Sequence, residues 1–299
     1  MSAMLISRVG LPGRHPASKL YDDVSESSAA VVIRRYSSSF GLASRLLDRP
    51  VRSRVRNVYA LVRVADEIVD NPDPALGRAT RDRMLASLQE DTHQALQTGY
   101  SANLVVHAFA RTAIACGIES DLVDPFFASM RMDLDTRAHT AESFARYVYG
   151  SAEVVGLMCL RAFLTERPAG EQADAYDRLA PGAQRLGAAF QKLNFLRDLA
   201  EDHGTLGRCY FPGLEVEDFD DPARDRILDD IDEDLAAAAV VIPDLPASSR
   251  RAVRAAHATF AELARRLRAT PADQICRQRV RVSDPVKLRI AARAVYGGR

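Results

Sequence analysis

The sequence predicts an all-α fold, a single helical bundle around a central cavity. Apolar residues recur with a helical period along most of the chain, and convincing period-two strands are absent. Two of the helices also carry polar stripes in otherwise apolar surroundings, which suits a bundle whose helices face a shared cavity. At 299 residues and 47% hydrophobic, the chain is long enough for one large core.

The elements follow in order. Residues 1–20 read as a loose, flexible leader with Gly10, Pro12, Gly13 and Pro16, and residues 21–299 as a single helical domain. Ser25 and Ser27 supply start signals for a helix through Tyr36, and Pro50 breaks the segment that follows. A helix then runs over 52–70 until an Asn-Pro-Asp-Pro stretch stops it. Further helices are expected over 75–98, 101–116, 119–135, 141–165, 171–202, 222–242, 246–268 and 283–296. Phe126, Phe127, Met130, Val154, Val155, Leu157 and Met158 either fill the core or line an apolar tunnel.

The helix over 52–70 stacks Tyr59, Arg63, Asp66 and Asp70 at spacings of four, three and four, among Val55, Val58, Leu61, Ala65 and Val69. An unpaired charge in such a setting is costly, so the stripe persists only if its charges are paired or bind something. The helix over 171–202 repeats the pattern with Gly187, Gln191, Asn194, Asp198 and Asp202. If the stripes face each other, Asp66, Asp70, Asn194, Asp198 and Asp202 form an all-oxygen ligand set for a hard divalent cation. Mg²⁺ fits best, with Mn²⁺ as a substitute, because Mg²⁺ is commonly held by one or two carboxylates plus water and substrate phosphates. Arg63, Arg197 and Arg208 beside these carboxylates suit a polyanion such as diphosphate. The plainer reading is a set of pairs within each helix, Arg63 with Asp66 or Glu67 and Arg197 with Glu201; recurrence of one spacing on two helices weighs against it. The acid-rich stretch 229–234 reads as a solvated helix face.

Composition excludes several classes. Forty basic residues balance forty acidic ones, and no basic stretch is interleaved with aromatics, so nucleic acid is not expected as a partner. The four cysteines show no CxxC spacing, and the six histidines make no HxxxH or HExxH pair. No segment resembles a signal peptide, and the longest apolar run, 235–242, is far shorter than the roughly 20 residues that cross a bilayer. The expected location is the cytoplasm, with peripheral contact at the inner face of a membrane left open; the oligomeric state is left open too.

The segments YALVRVADEIVD (59–70) and QKLNFLRDLAED (191–202), with GRCYFP behind, resemble the two aspartate-rich motifs of the squalene and phytoene synthases, the head-to-head prenyl synthases. The resemblance extends through RRYSSSFGLASRLL, SMRMDLD and YVYGSAEVVGLM to RVRVSDPVKL, roughly from Tyr36 to Lys287. Among the subfamilies it is strongest to the phytoene synthases. It implies the isoprenoid synthase type of bundle, prenyl diphosphate substrates, and head-to-head condensation of two geranylgeranyl diphosphates to phytoene in carotenoid biosynthesis, with no nicotinamide. A squalene or dehydrosqualene synthase using farnesyl diphosphate is the alternative, and a non-catalytic scaffold of the same fold is the alternative of another class. The resemblance makes Asp66, Asp70, Asp198, Asp202 and Tyr59 catalytic. It makes Ser37, Ser38, Ser39, Arg63, Asp133, Gln191, Arg197, Arg208 and Tyr210 substrate-binding. Phe260 stands where the family often shows a tyrosine.

Overall fold

The computed structural model describes residues 16–37, 39–71, 73, 75–201, 204 and 208–296. Thirteen α-helices form among them: α1 (Pro16–Tyr36), α2 (Ser39–Ser44), α3 (Arg49–Val69), α4 (Arg78–Thr98), α5 (Leu104–Cys116), α6 (Ser120–Met132), α7 (Ala141–Val148), α8 (Val154–Leu164), α9 (Gln172–Glu201), α10 (Asp221–Val241), α11 (Ala247–Arg268), α12 (Ala272–Ile275) and α13 (Asp284–Tyr296). No strand forms among the described residues; one isolated bridge joins Ala138 to Cys209.

Helix α1 begins at Pro16, so residues 16–20 of the expected leader are helical. Proline costs a helix nothing in its first turn, where its missing N–H would have no intrahelical partner. The same holds for Pro50, which stands in the first turn of α3 and starts that helix instead of breaking it. Gly99 and Gly117 close α4 and α5 in the left-handed region, at φ 73° and 70°, the conformation that glycine adopts without a Cβ penalty.

Among the described residues, the two largest of four apolar clusters hold the bundle. In the first, α3 contributes Val55, Val58, Leu61, Ala65 and Val69, which meet Phe109 of α5, Phe126 and Phe127 of α6 and Met158 of α8. This burial sets the rotation of α3 and turns Tyr59, Arg63, Asp66 and Asp70 away from the core. Phe126, Phe127, Met130, Val154, Leu157 and Met158 are buried within this core. In the second, Leu193, Leu196 and Leu199 of α9 pack with Leu228 and Ile231 of α10 and Leu263 and Leu267 of α11.

A π-helical turn, Tyr149–Glu153, joins α7 to α8. The resulting stretch Ala141–Leu164 is long and apolar enough to cross a membrane, against the expectation that no helix is, and 67% of its apolar window is buried inside the bundle. Its two glycines, Gly150 and Gly156, and its interspersed polar residues break up the apolar run. Gly187 on α9 permits close approach to this turn: a Cβ there would stand 2.5 Å from the Ala152 carbonyl oxygen. Gly187 therefore belongs to helix packing and not to the polar stripe with which the sequence groups it.

The acid-rich face of α10 is solvated only in part. Asp234 is fully buried, with Lys192 Nζ at 2.8 Å and Arg185 Nε at 2.9 Å from its carboxylate oxygens. The apolar residues of α10 must face α9, and that orientation carries Asp234 into the interface, where two cations of α9 meet it.

Candidate functional site

The polar stripe of α3 is internally paired. Arg63 donates from Nη1 to Asp66 Oδ2 at 2.8 Å and from Nη2 to Glu67, while its guanidinium lies 4.5 Å from the centre of the Tyr36 ring. The pairing within the helix thus forms on this stripe. Burial, with the Asp70 charge beside it, pushes the Asp66 carboxyl up to about 7 against the pull of Arg63. Asp66 nonetheless keeps 35% of its side-chain surface. A carboxylate crowded by protein atoms yet open to solvent lies in a recess. Burial also raises Tyr59, which holds a side-chain hydrogen bond with Ser37, so the phenol stays protonated.

The far end of α3 is fixed by a segment distant in sequence. The Ala138–Cys209 bridge, with the Cys209 N–H donating to the Arg137 carbonyl at 2.9 Å, lays residues 208–210 beside the chain that follows α6. Arg208 is buried there and donates to Asp70 Oδ1 at 2.7 Å and to the Asp133 carbonyl at 2.8 Å. Burial alone would lower its pKa, but Tyr210, Asp133 and Asp70 outweigh that and raise it, so the group remains a cation. Asp133 accepts from Tyr147 at 2.8 Å on one oxygen and from Tyr210 at 3.3 Å on the other. Burial pushes Asp133 up to about 7, with Arg208 opposing. Tyr147 lies well above its ordinary value through burial and the adjacent Asp133, which keeps it a donor. The Tyr210 ring stacks on Phe195 at 4.0 Å. Asp133 and Tyr210 therefore position Arg208, which in turn holds Asp70.

On α9, Arg197 pairs with the adjacent Asp198 and not with Glu201, at 2.9 Å from Nε and 2.5 Å from Nη2. Arg279, from the segment before α13, reaches the same carboxylate at 2.7 Å and lies 3.7 Å from Glu201. Gln191 and Asn194 are half-buried on the same helix. Of the other expected site residues, Ser38 and Asp202 lie outside the described residues, as does the Ser39 side chain.

A cavity of about 620 Å³ opens beside this cluster, lined among others by Tyr36, Arg197, Phe260, Arg279, Arg281 and Lys287. Tyr36 touches both stripes' surroundings, since its ring underlies Arg63 and lines the cavity with Arg197. Phe260 stacks on Phe190 with ring centres 3.8 Å apart, an apolar plate on this wall of the cavity. Four cations and the single lining carboxylate of Asp284 leave this wall positive, as a polyanion requires. The sequence reading missed Arg279, Arg281, Lys287 and Tyr147. The available signal was the alternation of arginine and valine in RVRV, which points two cations to one side of an extended segment.

The donor types are those a hard cation takes: Asp66 and Asp70 are neighbouring carboxylates on α3 that repel each other, and Asn194 and Asp198 are oxygen donors on α9. Among the described residues no three acidic, histidine or cysteine side chains gather into a ready metal centre; Asp66, Asp70 and Asp198 are each engaged by arginine.

The pattern of the squalene/phytoene synthase family matches residues 33–285. A 15-cis-phytoene synthase from Enterobacter agglomerans is 30% identical over 282 residues, covering 86% of this chain and 90% of that protein. A 4,4'-diapophytoene synthase from Staphylococcus haemolyticus is 27% identical over 202 residues, covering 66% and 65%. Among solved structures, a dehydrosqualene synthase with a bound ligand superposes with a TM-score of 0.76 at 20% identity, covering 93% of this chain and 97% of that one. The stripes of α3 and α9, the helical bundle and these likenesses agree, and the chain belongs to the squalene/phytoene synthase family.

Proposed function

We propose that this chain condenses two prenyl diphosphates head to head, and that it is a phytoene synthase acting on geranylgeranyl diphosphate. The observation that carries the reading is the arrangement of arginine against carboxylate on the two polar stripes. Arg63 is committed to Asp66, and Arg197 and Arg279 to Asp198, so each stripe holds cation and anion in contact. A bound diphosphate gives these guanidinium groups phosphate oxygens as partners, and the freed carboxylates then suit a divalent cation.

Mg²⁺, or Mn²⁺ in its place, held by Asp66, Asp70, Asn194, Asp198 and Asp202, would neutralise charge developing on the leaving diphosphate. Arg63, Arg197 and Arg279 orient that group and stabilise it as the allylic carbon–oxygen bond breaks and the diphosphate departs with the electron pair. Phe260, Leu263, Val280 and Val282 make the adjoining wall apolar and keep water from the allylic cation. The double bond of the second chain then captures the cation with loss of a proton, giving a cyclopropylcarbinyl diphosphate. A second ionisation, rearrangement and proton loss complete a forty-carbon product without a reductant.

The 15-cis-phytoene synthase relative supports geranylgeranyl diphosphate as the substrate, and the diapophytoene synthase relative supports the second reading, a shorter substrate and product. Incubation with Mg²⁺ and either geranylgeranyl or farnesyl diphosphate, without nicotinamide, separates them by mass of the extracted hydrocarbon. A forty-carbon product from the longer substrate is expected. A thirty-carbon product from the shorter substrate alone selects the second reading. No product from either, with Mg²⁺ and with EDTA alike, overturns both and leaves a non-catalytic scaffold.

A further inference from the structure

Of the four cations on the cavity wall, three already face a carboxylate. Arg197 and Arg279 hold Asp198, and Lys287 Nζ stands 3.2 Å from Asp284. Arg281 is the exception: its exposed guanidinium lines the cavity with neither an ion pair nor a side-chain hydrogen bond among the described residues. An anion arriving at Arg197 or Arg279 has to displace a carboxylate, whereas one arriving at Arg281 displaces only water.

The backbone at Arg281 is fixed from α11. Arg266 Nη1 donates to the Arg281 carbonyl at 2.9 Å, and Arg266 Nε donates to Glu262 Oε1 at 2.8 Å. Glu262 also accepts from Arg265 at 2.8 and 3.0 Å. Hydrogen bonds from Arg265 and Arg266 lower its carboxyl to about 2, so this anchor stays ionised. On either side of Arg281, Val280 and Val282 pack into the second apolar cluster. In an extended segment the residue between two such valines points the other way, and the bond from α11 holds its carbonyl, so the cation keeps its direction at the cavity.

We propose that Arg281 is a further diphosphate-binding residue of this cavity, and that Arg266, outside the cavity lining, is its positioning residue. Resting on the proposed function for the identity of the anion, this role adds to the site a cation that neither aspartate stripe contains. Arg266 suits the task because its planar fork serves Glu262 and the Arg281 carbonyl at once, which a single ammonium does not.

Calorimetric titration of the intact chain with inorganic pyrophosphate and Mg²⁺ tests both residues, with thermal melts to check that each variant folds. Arg281→Gln should weaken binding about tenfold at low salt, as for the loss of one charge-assisted hydrogen bond. The difference should narrow at high salt, because the cation is exposed and screened. Arg281→Lys should keep most of the wild-type affinity. Arg289→Gln, which removes an exposed cation of α13 outside the cavity lining, should match the wild type. Arg266→Gln should weaken binding several-fold on its own yet add little to Arg281→Gln, since the two act through one contact. Wild-type binding with no loss in Arg281→Gln, or an equal loss in Arg289→Gln, would overturn the role of Arg281 and leave the diphosphate site standing. Full additivity of the two variants would overturn the positioning role of Arg266. No binding to the wild type would instead remove the diphosphate site itself, and the role of Arg281 with it.

Discussion

Arg208 Nη1 stands 2.7 Å from Asp70 Oδ1, joining residues 138 apart in sequence at the end of α3. The guanidinium is buried and also engages the Asp133 carbonyl, so it ties α3, the end of α6 and the chain after α9 at a single cation. Removing it strands Asp133, which keeps only 4% of its side-chain surface. Arg208→Ala should cost about 3–5 kcal/mol of stability in urea denaturation, as when one partner of a buried pair is lost. Arg208→Lys should recover part of that cost but not the fork that reaches Asp70 and Asp133 together.

Asp133 gives the fold a pH dependence of defined sign. Its carboxyl ionises near 3.8 in an unexceptional setting and is pushed up to about 7 here. Between those values the folded chain holds a proton that the unfolded chain has released, so stability through this group falls as pH rises and is lowest above about 7. Asp133→Asn abolishes that contribution. The melting temperature of the variant relative to wild type should therefore rise from about pH 5 to about pH 8. A difference independent of pH would show that Asp133 is ionised throughout that range.

Arg279 should separate binding from folding. Its side chain is 40% exposed, and its partners are Asp198 and Glu201 at the cavity. Arg279→Gln should leave the melting temperature within a degree or two and raise KM for the prenyl diphosphate about tenfold, the loss expected for one charge-assisted hydrogen bond. An unchanged KM would remove Arg279 from the diphosphate cradle.

Two aspartates of one helix should differ sharply in what their loss costs. Asp234 is fully buried against Lys192 and Arg185, whereas Asp229 is 70% exposed and pairs with Arg268. Asp234→Ala should cost about 3 kcal/mol because it leaves Lys192 in the interface with reduced compensation, while Asp229→Ala should cost less than about 0.5 kcal/mol. Similar losses at both positions would contradict the burial of Asp234.

Legibility followed the range of the interactions. The stripes Tyr59, Arg63, Asp66, Asp70 and Gln191, Asn194, Asp198 were readable because a 3.6-residue period displays them within one helix. Most helix boundaries agree with the structure for the same reason. Arg279 on Asp198, and Tyr147 with Tyr210 on Asp133, join separate segments, and no local pattern encodes such pairs. Asp234 was misread because neighbours on α9, and not the composition of α10, decide its burial. Pro16 and Pro50 were read as marks of loop and break where the structure uses them in first turns.

On the proposed function, the stripes of α3 and α9 serve one diphosphate site with a divalent cation. Calorimetric titration with inorganic pyrophosphate tests it directly, using wild type, Asp66→Asn and Asp198→Asn, each with Mg²⁺ and with EDTA. Binding to the wild type should require Mg²⁺, and either variant should weaken it at least about tenfold, because each withdraws a charged ligand from the same cation. Mg²⁺-dependent binding that survives intact in either variant would contradict the account.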